Sequence, residues 1–249
     1  MPTWTRHLYE HNPLAIAKGE VNGYSVVHKF GANFDIDNNS EPETVWTGGG
    51  LYPWSSLATA QTLYVLSESS EDTGTLEIQG LDENYNLQTE EVTLTGTTAV
   101  TTVNTFLRVY RMIYTDGGAG NAGIITARVG SSSGVVVAQI EVGFSQTLMC
   151  IYTVPAGYTA YLMDGDFSVQ KNKDAQVLLM QRPFGKQNFR IAHMAEVYET
   201  TYRYDFPIPL PLPEKTDLEV RADNVETNNT RVTSNFTMVL VKNTLRGEP

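Results

Sequence analysis

The sequence predicts an all-β protein: two antiparallel β-sandwich (jelly-roll-like) regions preceded by an extended, aromatic N-terminal arm. Three observations carry this. Apolar and polar residues alternate with period two along many short runs, as in Leu76-Glu77-Ile78-Gln79, and such alternation marks a half-buried strand because successive side chains leave opposite faces. Clusters of Gly, Asn, Asp and Ser separate these runs at regular spacing, which suggests a sandwich or barrel with antiparallel pairing. Only 18% of the 249 residues are charged, and polarity comes instead from Thr, Ser, Asn and Gly. That composition argues against long charged helices and against wholesale disorder.

Residues 1–58 read as the arm. Pro2, Pro13, Pro42 and Pro53 punctuate them, Gly48-Gly49-Gly50 follows Trp46, and only short strand-like pieces such as 24–28 appear. The segment is too aromatic for a solvated linker, so it is expected to pack on its own core or on a neighbouring subunit. Trp4, Trp46, Tyr52 and Trp54 are the candidate partner-binding residues, and filling of this chain's own core is the equally weighted alternative.

The first β region, 59–143, carries strands expected at 62–67, 75–79, 90–95, 106–115, 123–129 and 135–142. Its clearest piece is 75–114: strand, turn, strand, loop, strand, with Asp82, Asn84 and Asn86 filling the turn. The second region, 144–243, carries strands at 148–154, 159–170, 176–182, 189–198, 200–206, 217–222 and 236–242. Gly165 interrupts the second of these and marks a bulge. Pro207, Pro209, Pro211 and Pro213 recur at alternate positions, so that run is expected to be extended and at an edge or interface, because proline removes ladder donors. Residues 244–249 read as a mobile tail.

The net charge of −11 and the lack of any Lys/Arg cluster exclude an ordinary nucleic-acid interface. Cys150 is the only cysteine, in the apolar run Leu148-Met149-Cys150-Ile151, and reads as a buried, inert thiol; no intrachain disulfide and no cysteine zinc site follows. Met1 to His7 has no apolar signal core and no window reaches membrane-span length, so a soluble protein made in a cytosol is expected. His7 and His11 have helical spacing for zinc, but Asn12-Pro13 stops a helix and a third ligand is missing. Asp35, Asp37 and Asn39 begin like a calcium loop, which fails where Ser40 replaces the required Gly and Trp46 the bidentate Glu. The sequence holds no Gly-x-Ser-x-Gly, no Walker-type loop and no dinucleotide fingerprint. The expectation is therefore no catalytic residue, no cofactor, no metal and no enzyme activity.

The segment from His28 to Asp37, then Pro42-Glu-Thr-Val-Trp46-Thr-Gly-Gly-Gly50 and Tyr52-Pro-Trp54, resembles a family of virion structural proteins of tailed bacteriophages, of the head decoration or accessory type. Gly80 to Asn86, Val92 to Val100, Gln146 to Met149, Tyr152 to Gly157 and Leu212 to Asp217 resemble it too, so the likeness spans roughly residues 24–243. Where that family often has a more basic residue after its Phe-Gly pair, this chain has Ala32. The matching residues are turns and strand ends, which carry no chemistry. The resemblance implies a non-enzymatic capsid decoration or cement protein. It would be made in a bacterial host cytoplasm, reside in the virion, bind the major capsid protein or other virion proteins, and form a homo-oligomer, with a trimer favoured. Nucleic acid and membrane are not expected partners. A tail, neck or fibre-attachment protein of the same virion, or a carbohydrate-binding host-attachment module, are the alternatives.

Overall fold

The computed structural model describes residues 13–38, 41–115 and 120–245. A short helix, α1 (Pro13–Ala17), precedes β1 (Tyr24–Ile36) and β2 (Glu43–Thr44), and a 3-10 turn at Trp54–Leu57 follows. Next come β3 (Tyr64–Ser67), β4 (Thr75–Leu81), β5 (Leu87–Thr93), β6 (Val100–Thr101), β7 (Arg108–Thr115), β8 (Ile125–Val129) and β9 (Val135–Ile140). The chain ends with β10 (Ile151–Thr153), β11 (Tyr158–Val169), β12 (Asp174–Arg182), β13 (Arg190–Tyr198), β14 (Thr201–Leu212), β15 (Asp217–Asp223) and β16 (Thr230–Lys242). No helix among the described residues is long and apolar enough to cross a membrane.

All pairings between these strands are antiparallel, and they form four small sheets. Sheet I has the order β1-β16-β11-β14, and sheet II has β10-β15-β12-β13 with β2 added on β15. Sheet III is β6-β3-β8-β9 and sheet IV is β5-β4-β7. Period-two patterning explains their inner faces. Leu76 and Ile78 of β4 are fully buried while Glu77 and Gln79 are half-buried, and Val232, Ser234, Phe236, Met238 and Leu240 of β16 point inward in turn. Side chains of sheets I and II fill one core, around Phe167, Phe236, Leu162 and Leu179. Those of sheets III and IV fill a second, around Phe106, Met112, Leu63 and Ile125.

One expectation for the N-terminal segment is corrected. Residues 24–36, assigned to the arm, form a 13-residue strand that pairs with the last strand, β16, from Tyr24↔Val241 to Ile36↔Thr230. Glu43 and Thr44 pair with β15, and Trp46, Tyr52, Trp54 and Leu57 line the second core. Sequence patterning hid β1 because it buries polar Lys29 and Asn33 beside Ala32 and Ile36, which spoils the alternation. Gly31 fits the same crossing: a Cβ there would collide with the backbone nitrogen of Cys150 and the carbonyl oxygen of Val45, so β1 lies against that backbone only because residue 31 has no side chain. Residues 1–12 lie outside the described residues, and so does most of the expected mobile tail.

The bulge expected at Gly165 sits two residues earlier. The register moves from Leu162↔Met238 to Asp164↔Thr237, leaving Met163 unpaired. Gly165 serves close packing instead, since a Cβ there would strike the Tyr204 ring and the carbonyl of Asn235. The Pro-rich run joins β14, at the free edge of sheet I, where missing N–H donors cost nothing.

Candidate assembly surface

The aromatic residues singled out for partner contact are placed first. Trp46 and Tyr52 are each 3% exposed and Trp54 is 8% exposed; Trp4 lies outside the described residues. The three rings form an edge-to-face column, with centroids 5.1 Å apart for Trp46–Tyr52 and 4.9 Å for Tyr52–Trp54. Trp46 Nε1 donates to the carbonyls of Gly49 and Gly50 at 3.0 and 3.1 Å, so the glycine turn caps the indole. Trp54 Nε1 donates to Glu219 Oε2 at 2.8 Å. Inside this chain the column offers almost no surface to a partner.

The column stands beside a buried charge network that fastens sheet IV to sheet II. Asp217 of β15 accepts from Arg108 Nε of β7 at 3.0 Å, from Arg182 Nη2 of β12 at 2.6 Å and from Thr153 Oγ1 of β10 at 2.6 Å. Arg108 Nη1 also donates to the carbonyls of Leu57 and Leu107. The guanidiniums stack on rings, Arg108 5.2 Å from the Trp54 centroid and Arg182 4.6 Å from that of Phe189. Burial pushes the Glu219 carboxyl above the usual carboxylate range, against the opposing pull of Arg221 and the bonds from Trp54 and Thr44. Both oxygens of Asp217 are engaged, so this carboxylate holds parts of the fold together.

The sequence missed this network. Arginines that alternate with apolar residues along strands look like outward-facing charges, yet Arg108 is 7% exposed and Arg182 half-buried. The alternation Asp217-Leu-Glu-Val-Arg221 looks like a solvated polar face, yet that face meets the neighbouring sheet. Replacing Trp54 with phenylalanine tests the assignment. Loss of the N–H to Glu219 is expected to cost about 1–3 kcal/mol in urea unfolding, with association unchanged. An association defect without a stability loss would mean that Trp54 contacts a partner.

The surface that is open lies elsewhere. Among the described residues, six of the fifteen exposed large apolar side chains fall between residues 184 and 208: Phe184, Ile191, Met194, Tyr198, Tyr202 and Ile208. Five of the six lie on β13 and β14, the free edges of sheets II and I, which singles out that side of the molecule; Phe184 precedes β13 and packs 5.8 Å from the Tyr85 ring. The two edges meet through rings: His193 lies 5.8 Å from Tyr202 and 4.8 Å from Tyr204. Among the described residues, His193 Nε2 and Tyr204 Oη are buried there without a hydrogen-bond partner, and burial lowers the pKa of His193.

One element projects from this side. β14 pairs with β11 through Leu162↔Leu210 and then Asp164↔Asp205, so four residues, 206–209, stand opposite Met163 alone. Phe206-Pro207-Ile208-Pro209 therefore bows out, and Ile208 at its tip is 87% exposed.

On the opposite edge of sheet I, β1 borders a cavity of about 250 Å³ that it forms with β4, β5 and β7; Val26, Leu87, Tyr110 and Arg111 are among its walls. Lys29, 3% exposed, lies within this lining and donates to the Tyr110 carbonyl. Among the described residues no group of three or more His, Cys, Asp or Glu is placed to hold a metal.

No protein-family model and no curated protein matches the chain. Among solved structures it aligns with "Cowpea mosaic virus top component (CPMV-T) - naturally occurring empty particles" at 8% identity, over 72% of this chain and 80% of that one, with a TM-score of 0.23. It also aligns with "Structure of infectious bursal disease virus Gx strain" at 10% identity, over 90% of this chain and 72% of that one, with a TM-score of 0.22.

Proposed function

We propose that this chain is a non-enzymatic structural protein of a virus particle, built on a double-sheet jelly roll. The observation that carries this is the order of eight strands. Numbered along the chain as β1, β10, β11, β12, β13, β14, β15 and β16, they run first-eighth-third-sixth in sheet I and second-seventh-fourth-fifth in sheet II. Two interleaved Greek keys produce that order, and the resulting eight-strand double sheet recurs in viral capsid and lectin domains and in cupins. The space between the sheets is filled by Phe167, Phe236, Met238 and Val220, which favours a load-bearing shell element over a ligand-holding barrel. Sheets III and IV, with their own core, are then an insertion between the first and second jelly-roll strands, fastened by the Asp217 network.

The finer reading is a decoration or cement protein that binds the major capsid protein on the outside of the head, as a homo-oligomer. It is supported by the sequence resemblance and by the open, apolar edge at β13 and β14, since cementing adds buried area between subunits that repeats with the shell symmetry. Cryo-electron microscopy of particles carrying this chain tests both levels. Density on the head in a copy number on the order of hundreds supports decoration; about six or twelve copies at the neck or tail would replace it with the tail reading. Absence from purified particles would overturn the virion reading itself.

A further inference from the structure

We propose that copies of this chain join head to tail, the Pro-Ile-Pro knob of β14 on one copy entering the cavity beside β1 on the next. Three features of the molecule lead there. First, the knob is both apolar and pre-ordered. Ile208 is 87% exposed and lies between Pro207 and Pro209, whose fixed φ angles reduce the entropy lost on docking. Extended Pro-rich segments characteristically dock into grooves lined by aromatic rings.

Second, the cavity suits it. Val26 and Leu87, 44% and 49% exposed, stand at its walls with the Tyr110 ring, and about 250 Å³ leaves room for a branched aliphatic side chain. Arg111 gives its lining a lasting positive charge, and the described residues put no carboxylate there, whereas exposed Asp205 lies two residues before Pro207 of the knob. The charges of the two surfaces are therefore complementary.

Third, the two surfaces occupy opposite edges of the same sheet, in the order β1-β16-β11-β14. A contact between unlike surfaces is heterologous, so it either closes into a ring or continues as a filament. The competing arrangement, two β14 edges pairing as strands across a two-fold axis, is opposed by the prolines themselves, which supply no N–H to such a ladder.

This contact stands on the knob and the cavity and does not depend on the particle reading, so purified protein suffices to test it. The full-length chain carrying Ile208→Cys and Val26→Cys together is oxidised and run on denaturing gels. Cys150 is fully buried and its thiol is pushed up to about 12 by burial, against the bond to Ser234 and the nearby Lys29, so it does not compete. The expected result is a covalent ladder from the pair and none from either single variant. Equal cross-linking by Ile208→Cys alone would establish a symmetric contact and overturn the proposal, as would the absence of cross-links from the pair. Sedimentation gives the second measurement. Ile208→Asp and Leu87→Asp are each expected to weaken self-association roughly 30-fold or more, with near-ultraviolet circular dichroism unchanged. A wild-type chain that stays monomeric up to high micromolar concentration would also overturn it.

Discussion

Replacing Asp217 with alanine is expected to destabilise the fold by about 3–5 kcal/mol, the range for removing one partner from a buried ion pair. The side chains of Arg108, Asp217 and Arg182 are 9%, 6% and 20% exposed, so water repairs little of the loss. Arg108 remains anchored by its bonds to the carbonyls of Leu57 and Leu107 and cannot swing out to solvent. Two guanidiniums would then face one another without their shared carboxylate, and Thr153 Oγ1 would lose its acceptor. Because the carboxylate joins strands of sheets II and IV, the damage falls on the seam between the two cores. Asp217→Asn keeps the shape and some acceptor capacity, so it is expected to cost less. The double change Arg108→Met with Asp217→Leu is expected to cost less than Asp217→Ala alone, since no charge is stranded. Urea unfolding of the three variants measures the series. A loss below about 1 kcal/mol for Asp217→Ala would mean that the network is solvated in solution and does not fasten the cores.

What the sequence made legible was local. The hairpin of β4 and β5 and the strand β7 lie where alternation placed them: 75–79 became Thr75–Leu81, and 106–115 became Arg108–Thr115. The intervening turn uses Asp82 as expected, its Oδ1 accepting from the amides of Asn84 and Asn86 at 2.8 Å, although the positive φ falls on Tyr85 and not on an asparagine. The Pro run was readable as an edge because proline chemistry is local too. What remained hidden depends on partners far away in the chain. β1 is recognisable as a strand only beside β16, about 200 residues later, and its buried Lys29 and Asn33 imitate a solvent face. Arg108 meets Asp217 across 109 positions. The exposure of Ile208 follows from a register difference between two strands, which no composition or period encodes. The aromatic column shows the same limit, since a tryptophan that fills its own core and one that anchors a partner are identical in sequence.

The buried Lys29 gives a result that can be read as a slope. Between pH 7 and pH 9 the wild-type fold is expected to gain about 2–3 kcal/mol of stability through this residue, and the Lys29→Met variant is expected to lose that gain. Burial, helped by the nearby Arg111 guanidinium and opposed by the Cys150 thiol, lowers the Lys29 pKa to about 7. The unfolded chain holds its proton to about pH 10.4. At pH 7 the folded state holds this proton about half the time and by about pH 8 hardly at all, so the unfolded state comes to bind about one more proton and the slope climbs to about 1.4 kcal/mol per pH unit. The sign follows from the cost of burying an ammonium: at pH 7 and below the folded chain must host it, and as pH rises it sheds the proton and the cost. Other groups near the cavity act at the edges of the window. Burial raises Tyr110 and Cys150 to about 12, so they subtract stability where their unfolded counterparts ionise: at about pH 9 and above for Tyr110, and from about pH 8 for Cys150, which offsets under about 1 kcal/mol of the gain by pH 9 in wild type and variant alike. His193, lowered by burial, acts below about pH 7. Methionine retains the unbranched shape but leaves the Tyr110 carbonyl without its donor, a penalty of about 1–3 kcal/mol that does not vary with pH. The variant is therefore expected to be closest to wild type near pH 7 and to fall behind toward pH 9. Parallel stability profiles for the two proteins across that range would show that Lys29 keeps its charge in the folded state, solvated by water that reaches the cavity beside β1.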